Sequence, residues 1–259
     1  MSHAEALLLV VAGLGAGLTG SVAGLSSLVS YPALLLIGLS PLHANVTNTV
    51  ALVANSAGAA LGSRRELAGQ WRRLRWLMLQ CGLGGALGAA LLLTTDESTF
   101  TAIVPWLVAL GALLLLMRDQ IRRWSQRRRR AAALGAEQLP AVTTSWRGHL
   151  LIVVVGVYGG YFGAGSGIIL LAVLALRTSE PFAITNAVKN VATSTANVVA
   201  AVAYMLLAPV AWPPAIALAT GGVIGSWLGP QLVRVLPERP LRWAIGAAGL
   251  GLSAYLLVG

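Results

Sequence analysis

The side chains able to do chemistry inside apolar sequence are amides, hydroxyls and a single ammonium. In residues 185–197, T-N-A-V-K-N-V-A-T-S-T-A-N, a helical step of ~100° places Asn186, Lys189, Asn190, Thr193, Ser194 and Asn197 within an arc of about 140°. A similar cluster, Asn45, Asn48, Thr49, Asn55 and Ser56, occurs near the start of the chain. Each cluster follows a glycine-rich stretch: 17–27, G-L-T-G-S-V-A-G-L-S-S, and 156–167, G-V-Y-G-G-Y-F-G-A-G-S-G. Ser21, Ser26 and Ser27 in the first and Tyr161 and Ser166 in the second add further hydroxyls. Unwound glycine backbone inside a membrane frees N–H groups, and helix N-termini present them with a positive dipole end. The competing reading is packing, because Gly20 and Gly24, and Gly159, Gly163 and Gly167, also form small-xxx-small spacings. The polar faces have a bland reading too, as interhelical glue worth roughly 0.6 kcal/mol per hydrogen bond.

Lys189 is the sole lysine and the only charge well inside an apolar segment. A charge there costs at least ~2.5 kcal/mol on insertion scales, which makes it a candidate site residue, with snorkelling to the interface as the alternative. The carboxylates (Glu5, Glu66, Asp96, Glu97, Asp119, Glu137, Glu180, Glu238) and the histidines (His3, His43, His149) fall at segment ends or in loops. Deep acid–base or metal chemistry lacks its usual residues, so neither an enzyme nor a cofactor is expected. Cys81 is alone in a glycine-rich apolar run and is read as a packing residue. Donors without a buried carboxylate point to an anion. The expected binding residues are Ser26, Ser27, Asn48, Asn55, Tyr161, Ser166, Asn186, Lys189, Asn190, Thr193 and Asn197.

The elements that must hold these residues are membrane helices. Of the 259 residues 57% are hydrophobic and 10% charged, against roughly 25% charged in a soluble domain. Several apolar runs reach the ~20 residues needed to span a bilayer, and none alternates like a barrel strand. The net charge of +10 sits in short gaps between apolar runs, which marks topology rather than nucleic acid. Trp71, Trp76, Trp106, Trp146, Trp212 and Trp243 lie near segment ends, as an interfacial belt requires.

Arginine placement orients the chain. Arg64 to Arg75 and Arg118 to Arg147 mark inside loops, whereas the gap holding Asp96 and Glu97 has no base. If residues 148–176 crossed once, Arg177, Arg234, Arg239 and Arg242 would lie outside. If the segment turns back, with two arms of roughly 13 residues and its apex in the glycine-rich stretch, every arginine is cytoplasmic. Residues 5–39 read the same way, with an apex near 20–27; whether the hairpins re-enter or span fully stays open. Gly20 and Gly24 match Gly159 and Gly163, and Thr47-Asn48 match Thr185-Asn186, at an offset of about 140 residues.

The expected fold is therefore an all-α polytopic membrane protein of two inverted repeats, each a glycine-apex hairpin plus three transmembrane helices. The first repeat is 1–117, a basic cytoplasmic linker is 118–146, and the second repeat is 147–259. Both termini are expected outside, in a cell membrane; the expected partners are a small anion and the lipid bilayer, not nucleic acid, and a homo-oligomer is compatible with this layout.

The paired glycine-rich and polar segments resemble the TauE/SafE sulfite exporter family, also called toluene-sulfonate uptake permeases. The first copy reads G-S-V-A-G-L-S-S-L-V-S-Y-P-A-L-L-L, followed by P-L-H-A-N-V-T-N-T; the second reads G-G-Y-F-G-A-G-S-G-I-I-L-L, followed by P-F-A-I-T-N-A-V-K-N. The chain departs from the family's triple-glycine pattern at Ser26-Ser27 and Ser166, and has Ala172 near where a proline would fall. The resemblance implies a membrane transporter of sulfite, sulfonates or related sulfur-containing anions without a cofactor. An anion channel, a non-transporting assembly factor and, last, a membrane enzyme are the alternatives.

Overall fold

The computed structural model describes residues 1–23, 26–62, 64–121, 123, 127, 146–175, 182–232 and 238–258. Most of the basic linker, and Arg177 with it, lies outside these residues. The described secondary structure is helical: α1 (His3–Ala23), α2 (Ser26–Leu36), α3 (Pro41–Gly62), α4 (Arg64–Leu67), α5 (Trp71–Leu93), α6 (Glu97–Leu116), α7 (Trp146–Tyr161), α8 (Ser166–Ala175), α9 (Phe182–Leu207), α10 (Trp212–Leu232) and α11 (Glu238–Val258).

Among the described residues four segments are both long and apolar enough to cross a bilayer: His3–Gly20, Trp71–Leu93, Glu97–Leu116 and Ile184–Leu207. Their outer faces suit lipid. Leu79, Leu83, Leu87 and Leu91 recur every fourth residue along α5, and all are more than half exposed. Such a stripe would be unstable in water and is the normal surface of a helix in hydrocarbon. The six tryptophans of the expected belt are exposed, as is Trp227 within α10.

Helix ends follow local chemistry. The Asp96 carboxylate caps α6, accepting from the Thr99 amide at 2.9 Å and from the Thr99 hydroxyl at 2.8 Å. Ser98 also donates to it. That Ser98 hydrogen bond, followed by those from Thr99, holds the Asp96 carboxyl well below the usual carboxylate range.

Two tight crossings knit the halves together. α1 runs along α10, and α5 along α7. A Cβ at Gly221 would collide with the Val10 carbonyl, and one at Gly88 with the Val157 carbonyl. α3 then packs on α10 and α5 on α9, while α3 meets α9 and α6 meets α11. Exchanging the halves, α1 for α7, α3 for α9, α5 for α10 and α6 for α11, leaves these pairings unchanged.

The first glycine-rich stretch takes in the end of α1 and the start of α2, with 24–25 outside the described residues, and the second contains a break between α7 and α8 whose arms are unequal. α7 has 16 residues and α8 has 10, in place of two arms of about 13. Most of 156–167 remains helical because Gly156 and Gly160 are held against the α5 backbone at Cys81, Gly84 and Gly85. The chain unwinds only at 162–165, where Gly163 and Gly165 have φ of +82° and +79°, a region that L side chains avoid. α8 then turns back, so that Leu170, Val173 and Leu174 share one core cluster with Ile152 and Val155 of α7. At 1.5 Å per residue α7 rises about 24 Å, past the midplane of a ~30 Å core. In the first half the 21-residue α1 is long enough to span, and the 11-residue α2 is not.

Candidate binding cavity between the helix breaks

The second break is clamped from three elements. The Tyr158 hydroxyl donates to the Ala164 carbonyl at 2.6 Å, and Asn45 Nδ2 of α3 donates to the Tyr161 carbonyl at 2.8 Å. The Tyr204 hydroxyl of α9 donates to the Gly160 carbonyl. These bonds satisfy carbonyls that the end of α7 leaves without helical partners. Around them Tyr31 and Phe162 pack edge to face at 5.4 Å, and Phe100 lies 5.9 Å from Tyr161. The turn is therefore buried in protein, the condition under which irregular backbone is tolerated at membrane depth.

Beside this turn lies a cavity of about 70 Å³. At ~10–15 Å³ of such volume per water it has room for about five waters or one small polyatomic ion. Its wall draws on both halves. Gly20, Ser26 and Ser27 come from the first hairpin, Leu52, Asn55 and Ser56 from α3, and Gly163, Ser166 and Gly167 from the second hairpin. Asn190, Thr193, Ser194 and Asn197 come from α9 and Ser226 from α10. Ser166 is the first residue of α8, so a helix N-terminus, worth about half a positive charge, meets the cavity there; Ser26 is the first described residue of α2.

The hydrogen-bonding capacity left for a ligand is narrower than the number of polar side chains suggests. Thr193 donates to the Lys189 carbonyl at 3.0 Å, Ser226 to the Val223 carbonyl at 3.0 Å and Ser56 to the Leu52 carbonyl at 3.4 Å. Of the first four amides of α8, Ser166 bonds to the Gly163 carbonyl, and Ile168 and Ile169 bond to that of Gly165. The Gly167 amide is left without such a bond among the described residues. Asn55 is 8% exposed, and neither its Nδ2 nor its Oδ1 has a hydrogen-bond partner among them. A buried amide in that condition loses more than it gains unless something fills the cavity.

Of the residues expected to bind, Ser26, Ser27, Asn55, Ser166, Asn190, Thr193 and Asn197 are brought together at this wall. Four others lie elsewhere. Asn48 is buried and accepts from the Ser30 hydroxyl. Tyr161 is buried in the aromatic cluster. Asn186, on the first turns of α9, has a buried Oδ1 with no partner among the described residues. Lys189 is 1% exposed and sits one turn before Thr193, off the cavity wall, with Arg118 near enough to repel it electrostatically. Sequence reasoning missed Ser226. The signal was a lone serine in the apolar run G-G-V-I-G-S-W-L-G, on the helix whose glycines let α1 approach.

Among the described residues no cluster of three or more His, Cys, Asp or Glu side chains could hold a metal. Cys81 is buried and free, packed in the cluster between α5, α7 and α9.

Comparison with known proteins gives a match to the family described as Sulfite exporter TauE/SafE over residues 9–256. A "Probable membrane transporter protein" of Haemophilus influenzae is 26% identical over 228 residues, covering 87% of this chain and 84% of its own. The Sinorhizobium "Probable membrane transporter protein ORF9" is 24% identical, with 96% of this chain and 91% of its own covered. "Probable membrane transporter protein YfcA" of Escherichia coli K12 is 24% identical over 93% of this chain and 86% of its own. No solved structure matches.

Proposed function

The chain belongs to the sulfite exporter TauE/SafE family of membrane proteins, and from that premise we propose that it transports a small sulfur-containing oxyanion through the cavity between its two glycine-rich stretches. The observation that carries this reading is the composition of the wall: amides, hydroxyls, the N-terminus of α8 and, among the described residues, no carboxylate. Such a wall favours negative charge without fixing a counter-charge in contact with it. Asn55 and the Gly167 amide supply donors that a ligand would complete.

The volume supports the smaller members of the substrate class. A sulfite-sized ion fits about 70 Å³, whereas an aryl sulfonate would place its ring outside the cavity as found. Movement of one half against the other, about a site to which both contribute, would expose it alternately to the two sides. The basic segments would face the cytoplasm, with the termini outside.

Liposome flux tests the proposal. Purified protein should move sulfite faster than an aryl sulfonate, with flux rising steeply above empty vesicles. Folded protein that moves neither would end the transport reading, and equal rates would end the size argument.

A further inference from the structure

A second concavity lies on the opposite face of α9, an open groove of about 500 Å³ between α5 and α9. Its mouth is Trp71 and Arg75, its floor Gly82 and Ala86, and its far wall Thr195 and Val199. The floor exists because Gly82 carries no side chain: a Cβ there would meet only Thr195 Cγ2 at 3.5 Å and Val199 Cγ2 at 3.8 Å. The wall is apolar despite its threonine. The Thr195 hydroxyl donates to the Val191 carbonyl at 2.9 Å, which leaves the methyl facing the groove.

Length and charge identify what would fill it. Trp71 and Ala86 are separated along α5 by about 22 Å at 1.5 Å per residue, and half of a ~40–45 Å bilayer with its headgroups is about the same. The groove thus runs from headgroup level to the midplane, the depth of one leaflet. Among the described residues that line it, the one charged side chain is at the interfacial end, where Arg75 lies one turn from the exposed indole of Trp71. A cation above an aliphatic channel one leaflet deep complements an anionic amphiphile.

We propose that this groove binds an anionic phospholipid, its phosphate on the Arg75 guanidinium and one acyl chain laid over Gly82 and Ala86 between α5 and α9. The lipid would touch the face of α9 opposite Thr193, Ser194 and Asn197, and so brace the helix that carries a large part of the cavity wall.

Native mass spectrometry of the full-length protein tests this with phosphatidylglycerol and phosphatidylcholine of matched chains. Wild type should retain phosphatidylglycerol about five-fold more strongly, the order of one surface arginine's attraction. Arg75→Gln should erase that preference. Gly82→Leu should weaken retention of both lipids, with the melting temperature in detergent alone unchanged; if that variant does not fold, Ala86→Leu makes the same test. A preference that survives Arg75→Gln, or lipid retention indifferent to both groove-filling variants, would overturn the assignment. So would disulfide crosslinking of Gly82→Cys between two copies, which would make the groove a protein interface.

Discussion

Asn55 is where the proposed chemistry is most exposed to test, because its amide is buried at the cavity wall without a partner among the described residues. If it donates to a charged ligand, Asn55→Ala removes a hydrogen bond worth about 1.5–3 kcal/mol, and anion affinity in the flux assay should fall about 10- to 100-fold. Stability should hold or rise, since an unsatisfied amide is removed; equal loss of fold and flux would contradict the role. Lys189 acts differently. It lies off the wall, one turn before Thr193, so a bound anion feels it only through space, where in general a unit charge ~10 Å away at an effective dielectric near 20 is worth about 1.7 kcal/mol. Lys189→Met should therefore raise the KM about ten-fold while leaving the maximal rate nearly unchanged. The helical arc in the sequence brought Asn190, Thr193 and Asn197 to the same place. It could not separate Asn48 from Asn55, because both lie on the inward face of α3 and only the tertiary partner, Ser30 for Asn48, distinguishes a structural amide from an open one.

At the scale of elements, the second break depends on two left-handed glycines. Gly163→Ala places a side chain at φ +82° and a Cβ 2.9 Å from the Gly159 carbonyl oxygen, a strain of about 1–2 kcal/mol. A lowered melting temperature and reduced flux should follow together, and an unchanged protein would show that the turn does not need this conformation. Gly159, by contrast, has only ordinary contacts for a Cβ, with Ala196 at 3.7 Å and Ser166 at 3.8 Å, so Gly159→Ala should be mild. Spacing alone could not draw this line: a glycine that turns the chain and one that lets a helix approach look identical until the neighbouring backbone is known. The α6 cap carries a pH prediction. Asp96 has a depressed folded pKa, so its stabilisation is present above the unfolded value near 3.9 and lost as pH falls below it. Thermal unfolding should show a constant contribution from Asp96 between pH 5 and 8, and a difference between wild type and Asp96→Asn that shrinks as the medium is acidified below about pH 4.

For the whole molecule, the helix pairings survive exchange of the two halves, and the arginine-based reading adds that the halves are inverted. The number of crossings decides between inverted and parallel copies. A half built of a returning hairpin and three crossing helices has an odd number of passages, so its copy begins on the other side of the membrane. Apolar length made the helices legible in the sequence, and the offset of about 140 residues points to a duplication with which the exchangeable pairings agree. The unequal arms of the second hairpin were not, because the position of its break depends on which glycines are committed to the crossing of α5 with α7. The 21-residue α1 sharpens the question, since a full crossing by α1 without one by α2 would change the count. Single cysteines introduced into a Cys81→Ala background resolve it. Ser2→Cys, Glu97→Cys and Pro209→Cys should react with a membrane-impermeant maleimide applied from outside, and Arg64→Cys and Arg127→Cys only after permeabilisation. Reaction of Ser2→Cys only after permeabilisation would place α1 as a separate crossing, make the passages of the first half even, and replace the inverted arrangement with a parallel one.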